Sequence, residues 1–87
     1  MKVVSVAYDK DTEFILGIVQ EFKEVCILET FSNNKRKEQK AVKAIQTTLG
    51  TKNLPLIAIE DENFELVGGV WPENNPDWKT ELKNKLS

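Results

Sequence analysis

The stretch NLPLIAIEDENFELVGGV, residues 53–70, contains two short apolar runs on either side of an acidic turn. The runs LIAIE and ELVGGV are separated by a short turn around residues 61–63, and this arrangement predicts a β-hairpin. Pro55 opens the first strand, while Gly68 and Gly69 close the second. The rest of the chain decides which sheet this hairpin joins.

A first strand and helix begin the chain. The run VVSVAY (Val3–Tyr8) is short and rich in β-branched residues, as a buried strand is. Phe14, Ile18 and Phe22 then recur at four-residue spacing, which predicts a helix of about three turns. Asp11 or Thr12 is expected to cap that helix.

A second strand and helix follow. The run VCILETF (Val25–Phe31) predicts a strand, and the polar residues after it predict a cap for a helix from about Lys35 to Leu49. Gly50 stands where a helix commonly ends in a left-handed residue. After the hairpin, Asn75-Pro76 is typical of a helix start, and Trp78, Leu82 and Leu86 supply the apolar stripe of a last helix.

The resulting order is βαβαββα, and it predicts a single α/β domain over residues 1–87. The two strand–helix–strand units predict parallel pairing with right-handed crossovers, and the hairpin adds antiparallel strands. We therefore expect a four-stranded mixed sheet with helices on both faces. A ferredoxin-like βαββαβ domain and a truncated flavodoxin-like sheet are the alternatives, although the former does not explain a helix after the terminal hairpin.

Composition narrows the class of function. The chain has 87 residues, a formal net charge of −2, one cysteine and no histidine. Zinc or iron–sulfur ligation and the usual nucleophile–histidine pairs are therefore not expected, and no metal or cofactor is predicted. No apolar run reaches about 18 residues and the N-terminus does not read as a signal peptide, so we expect a cytoplasmic protein without membrane contact.

The order βαβαββα, with Pro55 opening the third strand and Gly68-Gly69 closing the fourth, resembles the thioredoxin superfamily and glutaredoxins in particular. The resemblance implies a cis Leu54-Pro55 bond, with the Leu54 backbone offered to an extended substrate such as glutathione. It also implies that the glycine pair allows close approach, because neither residue has a Cβ. The alternative is that Pro55 suits the start of an edge strand and the glycines shape a bend.

The reactive centre of that family is missing. Redox-active members carry Cys-x-x-Cys or Cys-x-x-Ser between the first strand and the first helix, whereas this chain has YDKDTEF at residues 8–14. No thiolate can form at Asp9, Lys10, Asp11 or Thr12. Cys26 lies within the predicted second strand, where a free cysteine usually behaves as a small buried hydrophobe.

The resemblance implies a binding groove, and Trp71 on the following loop is predicted either to anchor a partner or to cover the core. The full set of groove residues is Asp9, Lys10, Asp11, Thr12, Leu54, Pro55, Gly68, Gly69 and Trp71. The sequence thus predicts a non-catalytic thioredoxin-like protein that binds a protein or an extended peptide. The alternative is a divergent glutaredoxin-like thiol-redox or glutathione-binding protein.

The run KRKEQKAVK, residues 35–43, is the most basic part of the chain. Its cations fall around the polar side of a helix and lack interleaved aromatic residues for base stacking. We interpret the run as a solvated face, and nucleic acid is not an expected partner.

Overall fold

The computed structural model describes residues 1–87, which form a small α/β domain of four strands and three helices. The elements are β1 (Val3–Tyr8), α1 (Ile15–Val19), β2 (Ile27–Ser32), α2 (Gln39–Leu49), β3 (Leu56–Glu60), β4 (Leu66–Val70) and α3 (Trp78–Leu86). A short 3-10 turn, Gln20–Phe22, continues α1. The elements occur in the order that the sequence predicts.

The strands form one mixed sheet in the order β2-β1-β3-β4. β1 and β2 are parallel, whereas β1 with β3 and β3 with β4 are antiparallel. The predicted four-stranded mixed sheet is therefore confirmed, and the first strand–helix–strand unit is parallel as predicted. The predicted parallel pairing of the second unit is wrong, because β3 runs antiparallel to β1 and does not pair with β2. Ala7 pairs with Leu56, and Ile57 pairs with Val70, so the end of β1, the start of β3 and the end of β4 meet. We call this the Pro55 end, and we call the opposite end, with the β3–β4 turn at residues 61–65, the hairpin end.

Helices pack on both faces of the sheet. On one face, α1 and α3 bury Ile15, Val19 and Leu82 against the strands. On the other face, α2 alone buries Val42 and Ile45 against β1 and β3. The central strands β1 and β3 are buried almost throughout and carry apolar side chains on both sides, except for Ser5 and Glu60.

The first helix is shorter than predicted. Only Ile15–Val19 is α-helical, and the next turn tightens into a 3-10 helix. The segment contains Gly17 together with the β-branched residues Ile15 and Ile18, all of which favour a helix less than alanine or leucine does. Its N-cap residue, Phe14, offers no side-chain cap, so the predicted capping by Asp11 or Thr12 is wrong.

The second helix begins at Gln39 rather than near Lys35, because residues 33–38 form turns. A helix starting at Lys35 would place Lys35, Arg36 and Lys37 at its positive N-terminal end, where cations are unfavourable. The last turn ends as predicted, with Gly50 left-handed at φ 71°. The third helix likewise begins later than predicted, at Trp78, with Asp77 as its N-cap residue.

Candidate functional site

The Pro55 end brings together three of the segments that the sequence analysis named. The loop at residues 9–12 leaves the end of β1, Leu54-Pro55 leads into β3, and Trp71 follows β4. The Leu54-Pro55 peptide bond is cis. The glycine pair lies just inside this end, because Gly69 is paired with Ala58 in the ladder.

The loop after β1 is held by its own hydrogen bonds. Asp9 Oδ1 accepts from the backbone N–H groups of Asp11 and Thr12, both at 3.0 Å, and from Thr12 Oγ1 at 2.9 Å. The backbone N–H of Asp9 in turn donates to Thr12 Oγ1 at 2.9 Å. The Asp9 carboxylate is therefore used in shaping the loop, while Lys10 and Asp11 are exposed.

Trp71 combines exposure with packing. Its side chain is 38% exposed, yet the outer edge of its ring reaches the position where a Cβ on Gly69 would stand, 3.1 Å away. Leu54 is half-buried and packs with Leu49 against the core below α2. The Pro55 end thus presents a partly exposed aromatic ring and a partly exposed leucine on a rigid base.

The glycine pair makes room for side chains of the same chain. A Cβ on Gly69 would lie 2.6 Å from Leu49 Cδ2, so the end of α2 rests directly on this glycine. Gly68 lies under the aliphatic stem of Lys85, whose Cδ would be 3.5 Å from an added Cβ. The space that the family resemblance assigns to a ligand is filled from within the molecule at both glycines.

Lys85 also joins α3 to the edge of the sheet. Its Nζ donates to the carbonyl oxygen of Gly69 at 2.9 Å and to Glu81 Oε1 at 3.1 Å. The Asn75 side-chain amide donates to Glu81 Oε2 at 2.9 Å. The hydrogen bond from Asn75, followed by that from Lys85, lowers the pKa of Glu81.

The only thiol, that of Cys26, is buried in the core and does not belong to the loop at residues 9–12. Cys26 precedes β2 rather than lying within it, and its side chain is 3% exposed. Its Sγ donates to the carbonyl oxygen of Phe22 at 3.1 Å, and burial raises the pKa of the thiol. The prediction that Cys26 is buried is confirmed, and a raised pKa lowers the fraction of reactive thiolate at neutral pH.

The other predictions concern charge, metals and membranes. In the basic run, Lys35 Nζ pairs with Glu38 Oε2 at 3.7 Å, and the other cations are exposed. No group of three or more histidine, cysteine or acidic side chains is placed to hold a metal ion. None of the helices has the length and apolar character needed to cross a membrane.

Three contributors were not anticipated from the sequence: Leu49, Lys85 and Phe64. The sequence analysis names Leu49 only as the end of a predicted helix and does not single out Lys85, because their positions over the glycine pair depend on how α2 and α3 cross the sheet. Phe64 gave one local signal, since a bulky residue replaces the glycine or asparagine typical of such a turn.

Comparison with known proteins returns no matching family model, no matching curated protein and no matching solved structure.

Proposed function

We propose that this chain is a non-catalytic, thioredoxin-like protein that binds a protein or an extended peptide at the Pro55 end. The element order βαβαββα and the mixed sheet with helices on both faces are compatible with that class. The binding function rests mainly on one observation, the partial exposure of Trp71 after β4, at the end of the sheet where Leu54 leads into β3. Aromatic side chains anchored on a rigid base are frequent centres of protein interfaces.

The chemistry of the neighbouring side chains favours binding over thiol redox catalysis. The loop that would hold a reactive thiol contains Asp9, Lys10, Asp11 and Thr12, and Asp9 is committed to hydrogen bonds within that loop. Cys26 is buried and its pKa is raised. These observations support a site that recognises a partner without forming a covalent bond to it.

The occupation of the glycine pair defines the proposed site more narrowly than the family resemblance does. Leu49 and Lys85 cover Gly69 and Gly68, and Pro55 is itself buried, so the partner is proposed to contact Leu54 and Trp71 instead. An extended segment suits this place, because it can follow the short rim between the start of β3 and the end of β4.

Affinity capture from the source cells tests the proposal, with Trp71→Ala and Leu54→Lys as site variants and Val25→Ala as the control. Val25 is also an exposed hydrophobic residue, but it lies at the hairpin end beside Asp61 and Glu62. The wild type and the control should retain a common partner that both site variants lose, and Trp71→Ala should weaken its affinity by about 2 kcal/mol. Equal recovery with all four proteins would contradict the proposed site, and saturable binding of reduced glutathione at the Pro55 end would favour the glutathione-binding alternative.

A further inference from the structure

The two faces of the sheet are covered unequally. Two helices pack on one face, but α2 alone packs on the other. At its start α2 lies near Phe31 on β2, and at its end Leu49 reaches Gly69 on β4. The helix therefore crosses all four strands at the Pro55 half of this face and leaves the hairpin half open.

The open half forms a trough that runs beside α2. Its floor is the row of paired residues Ile27, Val3, Glu60 and Leu66, one from each strand. The outer members Ile27 and Leu66 are 51% and 47% exposed, whereas Val3 at the bottom of the trough is 6% exposed. A cleft of about 330 Å³ separates Leu66 and Phe64 from the α2 residues Ala44 and Thr48. The helix α2, which forms a ridge, and a trough with an exposed apolar residue at each end thus lie side by side.

Phe64 borders this trough in a conformation that the local chain does not favour. Its φ is 62°, in the left-handed region where glycine or asparagine is preferred and a bulky residue is strained. Its side chain is 74% exposed, so core packing does not explain the residue either. Such a backbone outlier is a reason to look for a function of the side chain.

Charges of opposite sign lie on the ridge and in the trough. The ridge carries Lys40 and Lys43, which are exposed on α2, and the trough face carries Glu29 and Glu60. None of these four side chains takes part in an ion pair within the chain. A partner for this face should therefore present a basic ridge and an acidic trough of its own.

We propose that this face is an isologous interface between two copies of the chain, with the α2 ridge of each copy lying in the trough of the other. A twofold axis parallel to α2 exchanges the two sides of the face, so ridge meets trough and basic residues meet acidic ones. Phe64 and Leu66 of each copy then cover α2 of the second copy, and Lys43 approaches Glu60 of the second copy. The proposal is independent of the site at the Pro55 end.

The size of the face sets the expected affinity. Stable interfaces bury about 800 Å² on each partner, and this one uses a single helix and half of one sheet face. We therefore expect a weak dimer, with a dissociation constant of about 10–100 µM that rises with salt. Sedimentation equilibrium of the full chain from about 5 µM to about 1 mM covers that range.

Phe64→Gly provides the first test. The variant removes the exposed ring and relieves the left-handed backbone, so it should fold at least as well as the wild type while its dissociation constant rises about tenfold. Chemical unfolding checks the fold independently of association. A wild type that remains monomeric at about 1 mM would overturn the proposal, as would a dimer that Phe64→Gly leaves unchanged.

A charge exchange provides the second test. Glu60→Lys alone and Lys43→Glu alone each place two like-charged pairs across the interface, so each should raise the dissociation constant about tenfold. Mixed together, the two variants should form a heterodimer in which both contacts pair lysine with glutamate, and wild-type affinity should return. A mixture that associates no better than either variant by itself would refute the twofold arrangement.

Discussion

Leu49 lies directly over Gly69, and a Cβ at position 69 would approach Leu49 Cδ2 to 2.6 Å and Cδ1 to 3.2 Å. Gly69→Ala must therefore displace the end of α2 or force Leu49 from its place. We expect the free energy of unfolding to fall by about 1–3 kcal/mol, as in other overpacked cores. Urea titration followed by circular dichroism measures this loss.

The neighbouring glycine supplies the control. The nearest atom to a Cβ on Gly68 would be Lys85 Cδ at 3.5 Å, an ordinary contact with a flexible chain. Gly68→Ala should therefore change stability little, or raise it by a few tenths of a kcal/mol to about 1 kcal/mol. In the double variant Leu49→Ala/Gly69→Ala, the added methyl occupies the vacated space. The stability loss of the double variant should therefore be smaller than the sum of the losses of the two single variants. Similar losses at positions 68 and 69 would show that contact with Leu49 is not the cause.

Cys26 should resist modification in the native protein. Its Sγ is buried and hydrogen-bonded to the Phe22 carbonyl, and its raised pKa keeps it as a thiol at neutral pH. A thiol reagent should therefore label it only as fast as the chain opens, and rapidly in denaturant. Cys26→Ala should fold with a loss of about 1 kcal/mol. Labelling of the native protein at the rate of a free peptide thiol would contradict the buried position.

Glu81 should contribute to the pH dependence of stability. Hydrogen bonds from Asn75 and Lys85 lower its pKa in the folded state. The contribution is therefore complete above the pKa of the unfolded chain and is lost as pH falls through the folded pKa. Glu81→Gln should flatten the loss of stability between about pH 5 and pH 3.

Thermal unfolding across that pH range measures the effect of Glu81, and Glu24→Gln is the control. Glu24 is exposed and has no hydrogen bond or ion pair. The effect of Glu81 should be small, since its side chain is 37% exposed and solvent screens the interaction. If the stability of both variants depends on pH in the same way as that of the wild type, Glu81 does not contribute to the acid loss of stability.

The two tryptophans should behave differently. Trp78 is buried under the sheet with Leu82, whereas Trp71 is partly exposed at the Pro55 end. Trp78→Ala should cost about 3–5 kcal/mol, and Trp71→Ala should cost markedly less. In single-tryptophan variants, acrylamide should quench Trp71 strongly and Trp78 weakly. Comparable quenching would mean that Trp71 belongs to the core and cannot anchor a partner.

Local patterns predicted the sheet well, because its buried strands are nearly continuous apolar runs. VVSVAY and LIAIE form the two central strands, β1 and β3, as expected. Gly50 ends α2 in the left-handed conformation. Helix starts were less predictable. The start of α2 depends on a balance between apolar spacing and the repulsion of cations from a helix N-terminus, and spacing alone places it near Lys35.

The candidate site was predictable only as a set of segments. Turn chemistry and strand order place Leu54 and Trp71 at one end of the sheet, but what covers Gly68 and Gly69 depends on how α2 and α3 cross the strands. Leu49 and Lys85 lie 20 and 16 residues from Gly69. Contacts over such separations are set by tertiary packing and leave no periodic signal in the sequence.

The ammonium group of Lys85, which donates to the Gly69 carbonyl oxygen at 2.9 Å, affects whether a further strand can pair with the edge of the sheet. β4 is an edge strand, and an unprotected edge is a template for pairing with another chain into fibrils. A strand from another chain that paired with β4 would have to displace the charge-assisted hydrogen bond between Lys85 and Gly69. It would also bury the Lys85 ammonium group, which is unfavourable. Acetylation of Lys85 would remove that charge, so the acetylated chain should form thioflavin-positive aggregates sooner than the unmodified chain.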